Sequence, residues 1–557
     1  MLIEIVPYSK SDPKSKIEAN EGPTFLLQED NWNDFGYYTS YTLYFIDKNS
    51  EYEKISLIGP LRIMKLGQEP GDKNLLGLRS FNFLPSDFYS LSPSLDYYQR
   101  ISNLNVNIRN QLLSALKDLI VFPDYRKICQ NEDVFKTSLM RDLNNDDDVF
   151  TLGPVLLSGD YSQLMDLDLN FSFFTPELEN KIEFNFSSPS YGIFDHLNLP
   201  NRICVLIGRN GSGKSTLLSR ISRIAFSPTE DRNNEAIKLI GQIMPLGLGF
   251  PRILFFSYSA FDSFQTPGVF KRDKEQIVDE METGTGRFIF CGIRDIVKEL
   301  EGVIPNLKTD ADGRLLFDDI RNDRIDNNLL KSLNKLGEEF CSHLNTISDL
   351  KQDDLLLNAF GILSEESSMH NLIPEFISIF NTTKLKVQDF FKELSTGHKF
   401  VFHAITGMVA YCAPRSLILF DEPETHLHPP ILAAFMKAIR YILNARQGFM
   451  ILATHSPVIL QETLSQHIFI IRRENHLMKV TKPRIETFGE NIGILTSEAF
   501  GLNSDITDYH NVLDDLLQEY GGIKDPQLLL NKIDGLFKSG LSMQARSYIL
   551  SKIYQSK

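Results

Sequence analysis

The chain has 557 residues, more than one hydrophobic core ordinarily supports, so two or more substructures are expected. Apolar residues make up 42% and charged residues 23%, the balance of a soluble globular protein. Lys and Arg total 57 against 72 Asp and Glu, a net charge of -15, which argues against a protein that coats nucleic acid over its whole surface and leaves room only for a local basic patch.

The five cysteines (Cys129, Cys204, Cys291, Cys341 and Cys412) are scattered and contain no C-x-x-C pair, which fits a reducing cytosol and gives no zinc signature. The N-terminus, Met1-Leu2-Ile3-Glu4, lacks the basic start of a signal peptide. No apolar run approaches the ~18 residues of a membrane span. A cytoplasmic protein without a membrane partner is expected.

Residues 37–46 are aromatic and β-branched, Asp47-Lys48-Asn49-Ser50 is turn-like, and 52–59 alternate again, a β-hairpin pattern. Helix formers follow at 104–121 and 133–143, bounded by Pro123 and by Asn144-Asn145-Asp146-Asp147-Asp148. Alternation returns over 167–187, with Leu169, Phe171 and Phe173 followed by Ile182, Phe184 and Phe186. The first 200 residues therefore read as an antiparallel sheet interrupted by a helical insertion at about 85–150.

The buried-strand run Ile203-Cys204-Val205-Leu206-Ile207 leads into Gly208-Arg209-Asn210-Gly211-Ser212-Gly213-Lys214-Ser215-Thr216, a complete G-x-x-x-x-G-K-[ST] pattern. Glycines let backbone N–H groups curl around phosphates, and the following helix N-terminus adds partial positive charge. Lys214 supplies a full charge, and the Ser215 hydroxyl is placed to ligate Mg²⁺. The loop predicts that the chain binds a nucleoside triphosphate.

Residues 252–259 read as a buried strand, after which 268–390 turn polar and helix-compatible, for example over 271–282, 327–344 and 349–363. No strand stands out in that block, which reads as a helical insertion projecting from the sheet (266–384), and it carries no sustained heptads. Leu394-Ser395-Thr396-Gly397-His398-Lys399 heads the next helical run. Alone it is an N-cap; just before an acidic strand, it also reads as a second anion site.

That strand, residues 416–422, ends in Asp421, placed to hold Mg²⁺, and Glu422, placed to orient or deprotonate an attacking water. Residues 449–454 form a further apolar run ending at His455-Ser456-Pro457. A histidine at the C-terminal edge of a parallel sheet sits where ligands bind, although a lone histidine is more often structural. Arg472-Arg473 read equally as a phosphate contact and as an exposed strand end. The region 501–557 reads as helical, and its acids Asp505, Asp508, Asp514 and Asp515 as a solvated helix face.

In this order, the phosphate loop, LSTGHK, LILFDEPETHLHP and ILATHSP resemble the phosphate loop, signature, Walker B with D-loop, and switch histidine of ABC-type ATPases. The resemblance covers roughly 160–265 and 385–500 and is similar to the soluble SMC/RecF and overcoming-lysogenisation branch. It implies an α/β head in two lobes (1–265 and 385–500) with an antiparallel β arm. It also implies ATP and Mg²⁺ as ligands, and two heads sandwiching two ATP molecules, with Ser395 and Gly397 facing the opposite head's γ-phosphate. Glu422, His455 and Lys214 take the catalytic roles, and Ser215, Asp421 and Gln265 the metal contacts. LSTGH stands where LSGGQ is usual, retaining Ser395 and Gly397. His426 and His428 read as D-loop residues or as a metal pair.

More loosely, the whole chain resembles the PtuA-type ATPases of Septu and retron-associated anti-phage defence systems. The segments that carry this are Trp32–Tyr37, Phe256–Asp262, Ile485–Gly493 and Glu498–Leu502. That resemblance implies a homodimer or larger homo-oligomer regulating an HNH-type, PtuB-like nuclease subunit, and in retron systems a reverse transcriptase with its RNA–DNA hybrid. The alternatives weighed against it are an SMC/RecF-like DNA-repair ATPase, a self-contained overcoming-lysogenisation nuclease and an ABC transporter subunit.

Overall fold

The computed structural model describes residues 1–8, 24–31, 33–47, 54–72, 76–77, 79–165, 168–186, 200–310, 313–325, 328–380, 383–500, 508–520, 522–523 and 525–555. Trp32, the turn residues 48–50, Gly501, Leu502 and Asp505 lie outside the described residues. The chain divides into two compact units, Met1–Gly489 and Glu490–Lys557, where the sequence places the last boundary at 501.

In the first unit β1 (Leu2–Val6), β2 (Thr24–Glu29), β3 (Ser40–Asp47), β4 (Lys54–Lys65), β5 (Ser80–Phe81) and β6 (Phe88–Leu91) make a six-stranded sheet. β3 and β4 form the expected antiparallel pair, but β1 and β2 are parallel, so the arm is mixed and not purely antiparallel. Helices at Leu95–Ser102, Val106–Leu116, Pro123–Cys129 and Val149–Ser158 follow.

β7 (Asn170–Phe174), β8 (Ile182–Asn185) and β10 (Gln242–Met244) form a small three-stranded sheet. The central sheet has seven strands: β9 (Ile203–Ile207), β11 (Ile253–Ser257), β12 (Phe288–Gly292), β13 (Leu417–Asp421), β14 (Phe449–Thr454), β15 (Ile468–Glu474) and β16 (Leu477–Thr481). Their order is β12-β11-β13-β14-β9-β15-β16, and all neighbours pair parallel except the terminal β15–β16 hairpin. β9, β11, β12, β13 and β14 are buried at every position, which explains their continuous apolar runs: a parallel sheet covered on both faces has no polar side to alternate with.

The small sheet packs on the central one through the ring pairs Phe184–Phe469 (5.3 Å) and Phe186–Phe449 (5.1 Å). Two charge-assisted forks tie the N-terminal helical segment to the supports of the central sheet. Arg287 grips Asp96 at 2.7 and 3.0 Å, and Arg415 grips Asp148 at 3.0 and 2.9 Å.

β12 corrects the expectation of a strand-free block between 268 and 390. The five-residue run Phe288–Gly292 is too short to show a period of its own between helical neighbours, yet it forms the sheet's edge beside β11.

The long helical block does not stand clear of the head, contrary to the expectation of an insertion projecting from the sheet. Its helices Leu333–Asp349, Asp353–Leu363 and Leu372–Ile379 pack with Lys384–Glu393 against the helix Thr396–Tyr411. Phe402 lies at the centre, its ring 4.8 Å from Phe360, 5.4 Å from Phe376 and 5.6 Å from Phe390. The apolar spacing on these helices serves this cluster, so it lacks the regularity of a coiled coil.

In the second unit, Asp508–Glu519, Pro526–Asp534 and Met543–Gln555 pack around Leu513, Leu529, Ile533 and Ile549. Asp514 accepts from the Tyr548 hydroxyl at 3.0 Å and lies 3.2 Å from Lys552 Nζ, so this acid joins two helices.

Candidate nucleotide site

Parallel pairing sets the site. Ile207 pairs with Thr454, Ala453 with Asp421 and Asp421 with Ser257, so four strands end at one level of the sheet. The chain segments carrying the phosphate loop, the two acids and His455 therefore leave the same edge, the crevice where α/β sheets bind ligands.

At the phosphate loop Gly213 has φ +99° and closes the turn before the helix Lys214–Phe226. A Cβ there would stand 2.6 Å from Met478 Sδ, so β16 braces the loop from outside and only glycine fits. Gly208 and Ser212 are buried, whereas Arg209, Asn210 and Gly211 face outward, with Ser215 and Thr216 half-buried on the first helical turn.

Lys214 is buried and its Nζ donates to the Gly208 carbonyl at 3.0 Å, bending back over the loop. It lies 4.0 Å from Glu422 Oε1. The glycine loop at the N-terminus of the helix Lys214–Phe226 and this ammonium make a cradle for an anion.

Asp421 is buried, its Oδ1 has no hydrogen-bond partner among the described residues, and the Ser215 hydroxyl bonds to its carboxyl. Burial, and then the neighbouring Asp262, hold that carboxyl well above the usual carboxylate range. Asp262 is itself raised by burial, although Ser257 hydrogen-bonds it and Arg294 opposes the shift. Two crowded acids, one with an oxygen left unpartnered among the described residues beside a serine hydroxyl, fit a divalent cation, which would supply the missing positive charge.

Glu422 takes a left-handed backbone conformation (φ 46°) that turns it away from Asp421's direction. Its amide donates to the Ala453 carbonyl at 2.9 Å. Its Oε1 lies 3.7 Å from His455 Nδ1, and His455 first, then Lys214 against the cost of burial, hold its carboxyl below the usual range. Glu422 is thus half-buried with its carboxylate form favoured over the neutral acid.

The structure brings Lys214, Ser215, Asp421, Glu422 and His455 together. Gln265 stands apart: its side chain donates to the Arg324 carbonyl at 3.3 Å, and Asp262 is the residue of that loop that faces Asp421. Ser395 and Gly397 start the helix Thr396–Tyr411, where Ser395 Oγ accepts from the His398 amide at 3.3 Å. A Cβ on Gly397 would stand 2.8 Å from the His426 carbonyl oxygen, so within one chain the signature turn lies against the D-loop. His426 Nε2 donates to the Tyr258 carbonyl at 3.2 Å. Among the described residues no group of three or more His, Cys, Asp or Glu side chains is gathered for a metal. Arg472 and Arg473 are exposed at the end of β15.

Sequence reasoning assigns no role to Asp262 or Glu424. Both stand inside recognisable motifs, but their partners, Asp421 and His455, come from strands that only the sheet register aligns.

Among the described residues, no helix is long and apolar enough to cross a membrane. Residues 203–461 match the family model described as "AAA domain, putative AbiEii toxin, Type IV TA system". "Protein ea59" of Escherichia phage lambda is 32% identical over 518 residues, which cover 89% of this chain and 90% of that protein. "Septu protein PtuA" of Bacillus thuringiensis is 24% identical over 291 residues, covering 48% of this chain and 69% of that protein.

Proposed function

The chain belongs to the family of protein ea59 and is an ABC-type ATPase resembling PtuA, and on that premise we propose that it hydrolyses ATP with Mg²⁺ between two paired heads and thereby controls a separate nuclease subunit in an anti-phage defence complex.

The observation that carries the hydrolytic reading is the placing of Glu422. Its carboxylate lies within 4.0 Å of Lys214 and 3.7 Å of His455, directly after the buried acid Asp421. The phosphate-loop amides and Lys214 bind and orient the triphosphate. Ser215 and Asp421 would hold Mg²⁺, which supplies charge neutralisation at the phosphates. Glu422 accepts the proton of the attacking water, and His455, facing the same opening, donates toward the γ-phosphate oxygens.

Head pairing is supported by Ser395 and Gly397. Ser395 caps a helix whose N-terminal end offers anion-binding groups, and Gly397, in the first turn of that helix, lies against the D-loop of its own chain. Control of an HNH-type nuclease rests on the likeness to the Septu protein, which spans 48% of this chain.

The test is Glu422→Gln. It is expected to bind ATP as the parent does and to hydrolyse it ~10²–10⁴-fold more slowly, the usual cost of losing a general base. Unchanged turnover would assign water activation to another group.

A further inference from the structure

The geometry points to Glu424 as a positioning residue for His455, an inference that rests on the ATPase reading of the same site. Glu424 is three residues past Asp421 on the turn Pro423–His426, and only 7% of its side chain is exposed. Its Oε1 accepts from the Thr454 hydroxyl at 2.6 Å and from the His455 amide at 2.6 Å, and it lies 3.1 Å from His455 Nδ1.

One carboxylate oxygen therefore fixes the end of β14, the backbone of His455 and one nitrogen of its ring. With Nδ1 held, Nε2 is the nitrogen left to meet substrate. A carboxylate behind an imidazole sets both its orientation and its protonation state, as in other carboxylate–histidine pairs. The second oxygen, Oε2, is buried without a hydrogen-bond partner among the described residues, so the contacts of this carboxylate run through Oε1 to Thr454 and His455.

Glu422 contributes as well. Glu422 first, and then Glu424, raise the proton affinity of His455 against its partial burial, and Lys214 opposes them. Glu422, Glu424 and Lys214 are the charged groups that act most strongly on the ring. The two acids play different parts, because Glu422 is half-buried and reaches to 4.0 Å from Lys214 of the phosphate loop, whereas Glu424 is buried against the histidine.

Glu424→Ala is expected to lower kcat ~10–100-fold with little change in the KM for ATP, the usual cost of losing an outer-shell partner. In a His455→Ala background the same substitution should cost nothing further, because its effect passes through the ring. A loss that multiplies with that of His455→Ala would overturn the proposal.

Glu424→Gln keeps an acceptor for Thr454 and the His455 amide but removes the charge, which guards against a variant that fails to fold. Histidine-selective ¹³C NMR on nucleotide-free protein, with His455 assigned from its alanine variant, should then show the ring losing its proton at lower pH than in the parent. An unmoved midpoint would likewise overturn the proposal. The NMR readout needs no hydrolysis, so absence of ATPase activity in the parent would defeat the functional reading while leaving this test intact.

Discussion

At the scale of the residue, the site is held in a costly state. Asp421 is buried beside a second acid, Asp262, with one oxygen left without a partner among the described residues, and burial works against its charge. Folded proteins tolerate such groups mainly where function requires them. Asp421→Asn removes the charge without changing the shape, so in EDTA it should melt at the same temperature as the parent or higher. The parent should gain stability from Mg²⁺ and ATP by ligand linkage, and the variant should gain much less. Thermal unfolding with and without Mg²⁺–ATP measures both. A variant that is less stable in EDTA and keeps the full ligand shift would show that Asp421 is structural.

At the scale of the element, a polar chain crosses from the D-loop into the helical block. His426 donates to the Tyr258 carbonyl, the Tyr258 hydroxyl is 2.8 Å from His403 Nδ1, and His403 Nε2 is 3.4 Å from Glu339 Oε2. Lys331 Nζ is 2.8 Å from the same carboxylate. Burial alone would raise the Glu339 carboxyl, but Lys331 and then His403 outweigh it and hold it at about 2, below the ordinary 4.5. A depressed folded value means the carboxylate stabilises the fold above the unfolded value and loses that contribution as pH falls from 4.5 toward about 2. Glu339→Gln should therefore be less stable than the parent near neutrality and should show a shallower loss over that acid window. Denaturant unfolding at a series of pH values checks it, and parallel curves would exclude a charged Glu339 from the packing. The same elements show how far local sequence patterns reach. The phosphate loop is legible because phosphate geometry imposes glycines and a lysine at fixed spacing within one short segment. The acids of β13 and His455 are legible because each ends an apolar run. The roles of Glu424 and Asp262 depend on which strands lie side by side, and Phe402's cluster gathers rings from several helices, so neither leaves a local pattern. β12 is hidden because a short apolar run between helical stretches carries no period of its own.

At the scale of the whole molecule, the proposed pairing joins two chains through the nucleotide. Each head offers a phosphate loop at one edge of its sheet and, at Ser395 and Gly397, a helix start whose proposed partner is a second head's triphosphate. Lys214→Ala should abolish ATP binding to its own loop, and Ser395→Arg should block hydrolysis while leaving the binding of ATP to its own loop nearly intact. In a mixed dimer the Lys214→Ala loop faces the Ser395→Arg signature, so one composite site carries both defects and the other carries neither. The decisive measurement is steady-state ATP hydrolysis by the two variants, alone and mixed over a range of ratios. Paired heads predict that each is inactive alone and that the mixture recovers activity, greatest near equal amounts; two variants that stay inactive at every ratio would contradict the pairing.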